Sequence, residues 1–278
     1  MLKSPLQLYL QQCSDLKIRQ NAYAVQQLNL NEQLPAKFNL ESNSAQRLFT
    51  AEELKPCLKF AFEPLLKSFE QLSLLTDLNI SGQHIGDRLF ISLLGALKSS
   101  GCILQSFSAG YNDLSVLSVT LLFDYCDKKI QQIDISGNPI QDDALIYMAE
   151  SKKHFRSTHL SLSNCQLTSN CLNNLSKCLR KTFMFVSTLD LSQNNLDSSD
   201  HSFNSYMELI EWTFSKNCRL NLSKNNLSRY QIHVIKNRIS KGQLAQIDIS
   251  ENINADFNTM QQLEQQLLES QKWKPSDD

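Results

Sequence analysis

The chain carries almost no net charge, with 27 lysines and arginines against 28 aspartates and glutamates, interspersed. It has no polybasic run, which argues against nucleic acid and anionic lipid as partners. Long apolar runs are missing as well. The longest, Leu89 to Leu97, is broken by Ser92 and Gly95 and falls far short of the roughly 20 residues a membrane helix needs. No stable membrane insertion is expected. The start, Met1-Leu2-Lys3-Ser4-Pro5, lacks the charged and then apolar run of a secretory leader. The eight cysteines (Cys13, Cys57, Cys102, Cys126, Cys165, Cys171, Cys178, Cys218) show no C-x-x-C and no paired spacing. That argues against a disulfide framework or a zinc site, and for reduced thiols buried as small apolar fillers. An intracellular, soluble protein is expected, free of metal and cofactor.

Catalytic signatures are absent too. There is no glycine-rich phosphate loop, no G-x-S-x-G and no H-E-x-x-H, so an enzyme is not expected. The histidines (His84, His154, His159, His201, His233) are isolated. His159 and Cys165 come nearest to a Cys–His pair, but their places in the repeat described next send the two side chains apart. Four Asn-x-Ser triplets, at Asn79, Asn174, Asn221 and Asn226, read as accidents of an Asn- and Ser-rich composition.

What the chain does have is one phrase written seven times. Its clearest copies are Ile130-x-x-Ile133-Asp-Ile135-x-x-Asn138-x-Ile140 and Val186-x-x-Leu189-Asp-Leu191-x-x-Asn194-x-Leu196. The inner pairs open at residues 78, 107, 133, 160, 189, 220 and 247, in steps of 26 to 31. Within Ile133-Asp134-Ile135 apolar and polar residues alternate, the period of a short strand with one buried face. After each strand comes a stretch with apolar residues at three- and four-residue spacing, such as Leu172, Leu175, Cys178 and Leu179 behind the N-cap Thr168. Helices are expected over 86–98, 115–126, 141–153, 169–181, 203–215 and 228–240. An amide where the chain leaves the strand both donates and accepts, and so satisfies turn groups that no strand partner reaches. Gln83, Asn112, Asn138, Cys165, Asn194, Asn225 and Asn252 fill that slot. The ladder they form should be weakest at Gln83 and Cys165.

The phrase resembles the leucine-rich repeat of the ribonuclease-inhibitor-like class, over residues 75–254. The resemblance implies an α/β solenoid, a right-handed horseshoe with parallel strands on the concave face and helices on the convex face. Three parts are expected. Residues 1–74 form an N-terminal helical cap with a degenerate first repeat, 75–254 form seven leucine-rich repeats, and 255–278 form a capping helix and polar tail. In the first part, Val25-x-x-Leu28-x-Leu30 and Phe38-x-Leu40-x-x-Asn43 both echo the phrase. Lying ten residues apart, they cannot both be full repeats; one is expected to be a repeat and the other a hairpin arm turning at Leu34-Pro35. Thr50-Ala-Glu-Glu53 reads as a capping box opening a helix that runs to Phe69.

The class specifies fold strongly and activity weakly. What its members share is protein binding on the inner face, by a non-catalytic interaction module. Strand residues between the buried ones face outward there. One column runs Asp77, Ser106, Gln132, His159, Thr188, Arg219, Gln246, and the next Asn79, Ser108, Asp134, Ser161, Asp190, Asn221, Asp248. Tyr111 stands at a strand exit. The expected partner-binding set is Asp77, Asn79, Tyr111, Gln132, Asp134, His159, Thr188, Asp190, Arg219, Asn221, Gln246 and Asp248, with Tyr111, Arg219 and His159 as anchors. The acidic column favours a partner protein with basic surface residues, and a monomer is expected. A short stand-alone array suits a secreted bacterial effector, a virulence protein acting on a host protein in the host cytoplasm. The rival reading is an activator of a small GTPase, with Arg219 or Asn112 at the rim supplying the catalytic-state contact.

Overall fold

A computed structural model describes residues 3–17, 20–33, 36–40, 62–126, 130–150, 155–196, 203–228, 231–233, 235 and 247–252. Each phrase yields a short strand in which the middle side chain is buried and its neighbours face out. These strands are β2 (Asp77–Asn79), β3 (Ser106–Ser108), β4 (Gln132–Asp134), β5 (His159–Ser161), β6 (Thr188–Asp190) and β7 (Arg219–Asn221). β1 (Lys37–Asn39) precedes them and β8 (Ile247–Asp248) follows. All pair in parallel, in chain order, in one sheet. Phe38, Leu78, Phe107, Ile133, Leu160, Leu189, Leu220 and Ile247 lie rung against rung. A second buried row runs Ile80, Ala109, Ile135, Leu162, Leu191, Leu222. Burying about five aliphatic side chains per repeat contributes roughly 1.5–3 kcal/mol for each, enough to hold a stack but not one repeat alone.

Between strands the chain crosses over through helices. α1 (Pro5–Asp15) and α2 (Ala22–Gln33) precede β1, and α3 covers the described residues 62–69. α4 (Gly86–Ser100), α5 (Val116–Tyr125), α6 (Asp143–Glu150), α7 (Leu172–Lys181) and α8 (Phe203–Ser215) alternate with β2 to β7. Residues 231–233 are also helical. Neighbouring helices pack about 8–10 Å apart, whereas strands sit about 4.8 Å apart. The helical side must therefore splay, and the sheet becomes the concave face. This is an α/β leucine-rich-repeat solenoid.

The N-terminal echoes resolve in favour of Phe38: its segment is a strand parallel to β2, while Val25, Leu28 and Leu30 lie on α2. The hairpin arm is therefore corrected. Apolar residues at 25, 28 and 30 fit a helix as well as a strand, and burial of Ala24 and Leu28 on one side of α2 decides for the helix. The expected capping box at 50–53 and the C-terminal helix after 255 lie outside the described residues. α1 is held by a capping box of Ser4 and Gln7, and Ser68 Oγ donates to Pro5 O at 2.7 Å, tying α1 to α3.

The polar links between repeats come in two kinds. Asn138 Nδ2 donates back to Ala109 O (3.0 Å), while its Oδ1 accepts from Asn112 N (2.9 Å) and Leu114 N (3.0 Å). Asn194 does the same with Leu162 O, Cys165 N and Leu167 N, and Asn252 with Leu222 O, Asn225 N and Leu227 N. Between these three interfaces the link is half-made. Asn112 and Asn225 donate to Ile80 O and Leu191 O, but their Oδ1 atoms are buried without a partner. Cys165 offers only its thiol, to Ile135 O and Ser163 O at 3.4 Å. Carboxylates bridge two of those weak interfaces. Asp87 accepts from Ser115 N (2.8 Å), Ser115 Oγ (2.7 Å) and Ser118 Oγ, and Asp142 from Thr168 N (2.7 Å) and Thr168 Oγ1. Gln83 reaches the first repeat through Nε2 to Leu40 O.

Candidate functional site: the concave face

Because each strand buries its middle residue, the flanking two present their side chains to the concave face, and register aligns them into columns. The first column is the freer. Gln132, His159 and Arg219 are exposed, and Asp77 and Thr188 partly so. His159 Nδ1 lies 2.9 Å from Thr158 Oγ1, and Gln132 Oε1 accepts from Ser106 Oγ at 3.3 Å. Among the described residues Arg219 makes no ion pair. Gln246 lies outside the described residues.

The second column is engaged with its own backbone. Asn79, Asp134, Asp190, Asn221 and Asp248 each accept through Oδ1 from the amide two residues on, at 2.9–3.0 Å. Each thereby ends its strand with a side-chain turn. The acidic stripe is only partly free, since one oxygen of each carboxylate is already committed. The signal was in the sequence: Asx-x-Ser recurs at 79–81, 134–136, 190–192, 221–223 and 248–250. The serines that follow are part of the floor, with Ser163, Ser192 and Ser223 buried and Ser163 Oγ 2.8 Å from Ser192 Oγ.

At the strand exits the chain turns left-handed, at Tyr111, Asn164, Gln193, Lys224 and Glu251, with φ between 52° and 58°. Tyr111 is 45% exposed, so its ring is available to a partner. It also packs against the next repeat. A Cβ on Gly137, the residue at the same position one repeat later, would meet Tyr111 Cδ1 at 2.4 Å, so the ring lies against that glycine. Beside it His84 Nδ1 meets Asp113 Oδ2 at 3.1 Å, and further along Lys224 Nζ meets Glu251 Oε2 at 3.3 Å. Toward the C-terminal strands an open depression of about 430 Å³ is floored by Leu189, Leu220 and Ile247. Thr188, Asp190, Arg219, Asn221 and Asp248 wall it.

The ladder slot is buried from Asn112 to Asn252, and Gln83 is half-buried. Cys165 sits there with its thiol pushed up to about 12 by burial, and it points inward while His159 faces the concave side. Sequence reasoning missed Asp87 and Asp142. The signal was an aspartate two residues after the closing aliphatic, Ile85-Gly-Asp and Ile140-Gln-Asp. Among the described residues no group of histidine, cysteine and carboxylate side chains is placed to hold a metal, and no helix is long and apolar enough to cross a membrane.

No family model matches the chain. Over 126 residues, 44% of its length, it is 29% identical to the NACHT, LRR and PYD domains-containing protein 5 of Bos taurus. Over 136 residues, 45% of its length, it is 27% identical to the protein of that name from Mus musculus. Each match spans only 11% of the relative's own length. Both relatives are named as LRR-containing proteins, in keeping with the solenoid.

Proposed function

We propose that this solenoid is a non-catalytic protein-recognition module that grips its partner on the concave face. The observation that carries the reading is Tyr111, an exposed aromatic packed against Gly137. An aromatic held in one position loses little entropy on binding, which is why such residues dominate interface energetics. The unpaired Arg219 in the depression at the other end is the second anchor, and Gln132 and His159 lie between. Because the second column is tied into turns, the partner's contacts fall on the first column and the exit rim. The acidic stripe contributes only its remaining oxygens, so attraction to a basic partner is weaker than the raw count of aspartates suggests. The matched relatives are mammalian and lend no support to a bacterial effector, so the proposal stops at recognition of a protein.

The test is affinity capture with wild type and with Tyr111→Ala/Arg219→Ala, both first shown to melt at the same temperature. Partners retained by the first and lost by the second are expected. An identical captured set would move recognition off the concave face. The small-GTPase reading rests on Arg219 alone, since Asn112 is buried with its amide bonded to backbone. Faster GTP turnover by a small GTPase, abolished by Arg219→Ala, would favour it.

A further inference from the structure

Along the edge where the strands begin, the fold assembles a surface that no sequence run announces. Among the described residues, those three positions before five of the strands match: Leu74, Ile103, Arg156, Phe185 and Lys216 precede Asp77, Ser106, His159, Thr188 and Arg219 by the same interval, while the position before β4, Lys129, lies outside the described residues. Leu74 is 66% exposed, Ile103 45% and Phe185 56%, with Met184 beside it also exposed. Arg156 and Lys216 are exposed and, among the described residues, make no ion pair.

The same edge is rigid. Thr76 O accepts from Gln105 N and Ser106 N, Gln131 O from Thr158 N and His159 N, and Thr158 O from Ser187 N and Thr188 N. Neighbouring repeats are thereby tied at the level of these side chains. At about 4.8 Å per strand, Phe185 has a cation one repeat away on either side. The described loop residues 71–76, 101–105, 155–158, 182–187 and 216–218 contain no aspartate or glutamate. Of the acids nearest in sequence, Glu70, Asp124 and Glu150 belong to helix ends, Glu70 is paired with Lys67, Asp77 opens β2, and Asp127 lies outside the described residues.

We propose that this strand-entry edge docks peripherally on an anionic phospholipid surface. The apolar tips Leu74, Ile103, Met184 and Phe185 would enter the headgroup layer, and Arg156 and Lys216 would meet lipid phosphates and carboxylates. Three features favour a membrane over a protein groove. The tips are exposed side chains, Phe185 is flanked by a cation on each neighbouring repeat, and the described loops carry no aspartate or glutamate. Lack of a basic run in the sequence is no obstacle, because stacking gathers cations that lie 60 residues apart.

The test is co-sedimentation of the full chain with vesicles of phosphatidylcholine alone and of phosphatidylcholine mixed with an equal part of phosphatidylserine. Binding is expected only to the mixed vesicles, lost on Met184→Ser/Phe185→Ser and weakened about fivefold for each cation removed in Arg156→Gln/Lys216→Gln. Leu117→Ser, an exposed site on α5, should bind as wild type, and unchanged melting curves confirm that each variant is folded. No sedimentation with mixed vesicles, or equal sedimentation by every variant, overturns the proposal. Sedimentation velocity reads the rival occupant: a concentration-dependent dimer lost on Phe185→Ser assigns the edge to a second copy, and overturns it as well. Neither outcome bears on the concave face, whose variants leave this edge untouched.

Discussion

At the residue scale, the ladder asparagines and the shelf glycine carry consequences that can be measured. Asn194→Ala removes partners from Leu162 O, Cys165 N and Leu167 N, all buried. Orphaned backbone groups of this kind cost about 1–3 kcal/mol, so chemical unfolding should show a loss of that size. A midpoint matching wild type would remove the amide from any structural role. Gly137→Ala meets two obstacles, a φ of +66° and the ring of Tyr111 at 2.4 Å. It should destabilise by about 1–3 kcal/mol, and adding Tyr111→Ala should restore the steric part of that loss. No recovery in the double variant would mean that the ring does not rest on this glycine. The slot positions were legible in sequence because asparagine recurs behind five of the seven aliphatic pairs, with Gln83 and Cys165 in the other two. The shelf was not, since nothing local announces that a tyrosine in one repeat lies over a glycine 26 residues later.

At the element scale, repeats are joined by alternating devices, amides at three interfaces and carboxylates at two of those between. Burial pushes the Asp87 carboxyl upward, but hydrogen bonds from Ser118 Oγ, Ser115 N and Ser115 Oγ outweigh it and hold the group below its ordinary value of 3.8. A carboxyl lowered in the folded state stabilises above the ordinary value and loses that contribution as pH falls through the folded one. Stability should therefore decline below about pH 3.8 more steeply in wild type than in Asp87→Asn. Parallel acid-unfolding curves for the two proteins would contradict the clamp. Helix positions were readable from apolar spacing, and α4, α7 and α8 start and stop within a few residues of expectation. The turn bonds of the second concave column went unread, because an aspartate on a strand looks the same whether its oxygen faces solvent or an amide two residues on, and only the recurrence of Asx-x-Ser hints at them.

At the scale of the whole molecule, the stack hides its sulfur. All seven described cysteines are buried, and none of them forms a disulfide. Burial pushes the thiols of Cys165, Cys178 and Cys218 up to about 12, and that of Cys171 well above its usual range. Thiolate, not thiol, attacks a disulfide reagent, so these groups should stay silent toward a thiol dye in the native protein and react together on unfolding. Rapid labelling of Cys165, Cys171 or Cys178 before unfolding would show that the repeats open locally. Aromatic packing reinforces the closure where Phe123, Phe155 and Phe183 meet across three repeats, with ring centroids 5.3–5.8 Å apart.

The amino-acid sequence alone determined the repeat, its parallel rungs and its outward columns, because hydrophobic periodicity is a local property that each phrase states in full. Tertiary stacking decided what no single repeat contains. It set which amide of one turn reaches the carbonyl of another, and it placed Tyr111 on Gly137. It also separated Leu74 from Leu75, two adjacent leucines of which one is 66% exposed and the other fully buried. In a solenoid, a side chain's surroundings come from the repeats on either side, some 26 to 31 residues away, and only their packing reveals them.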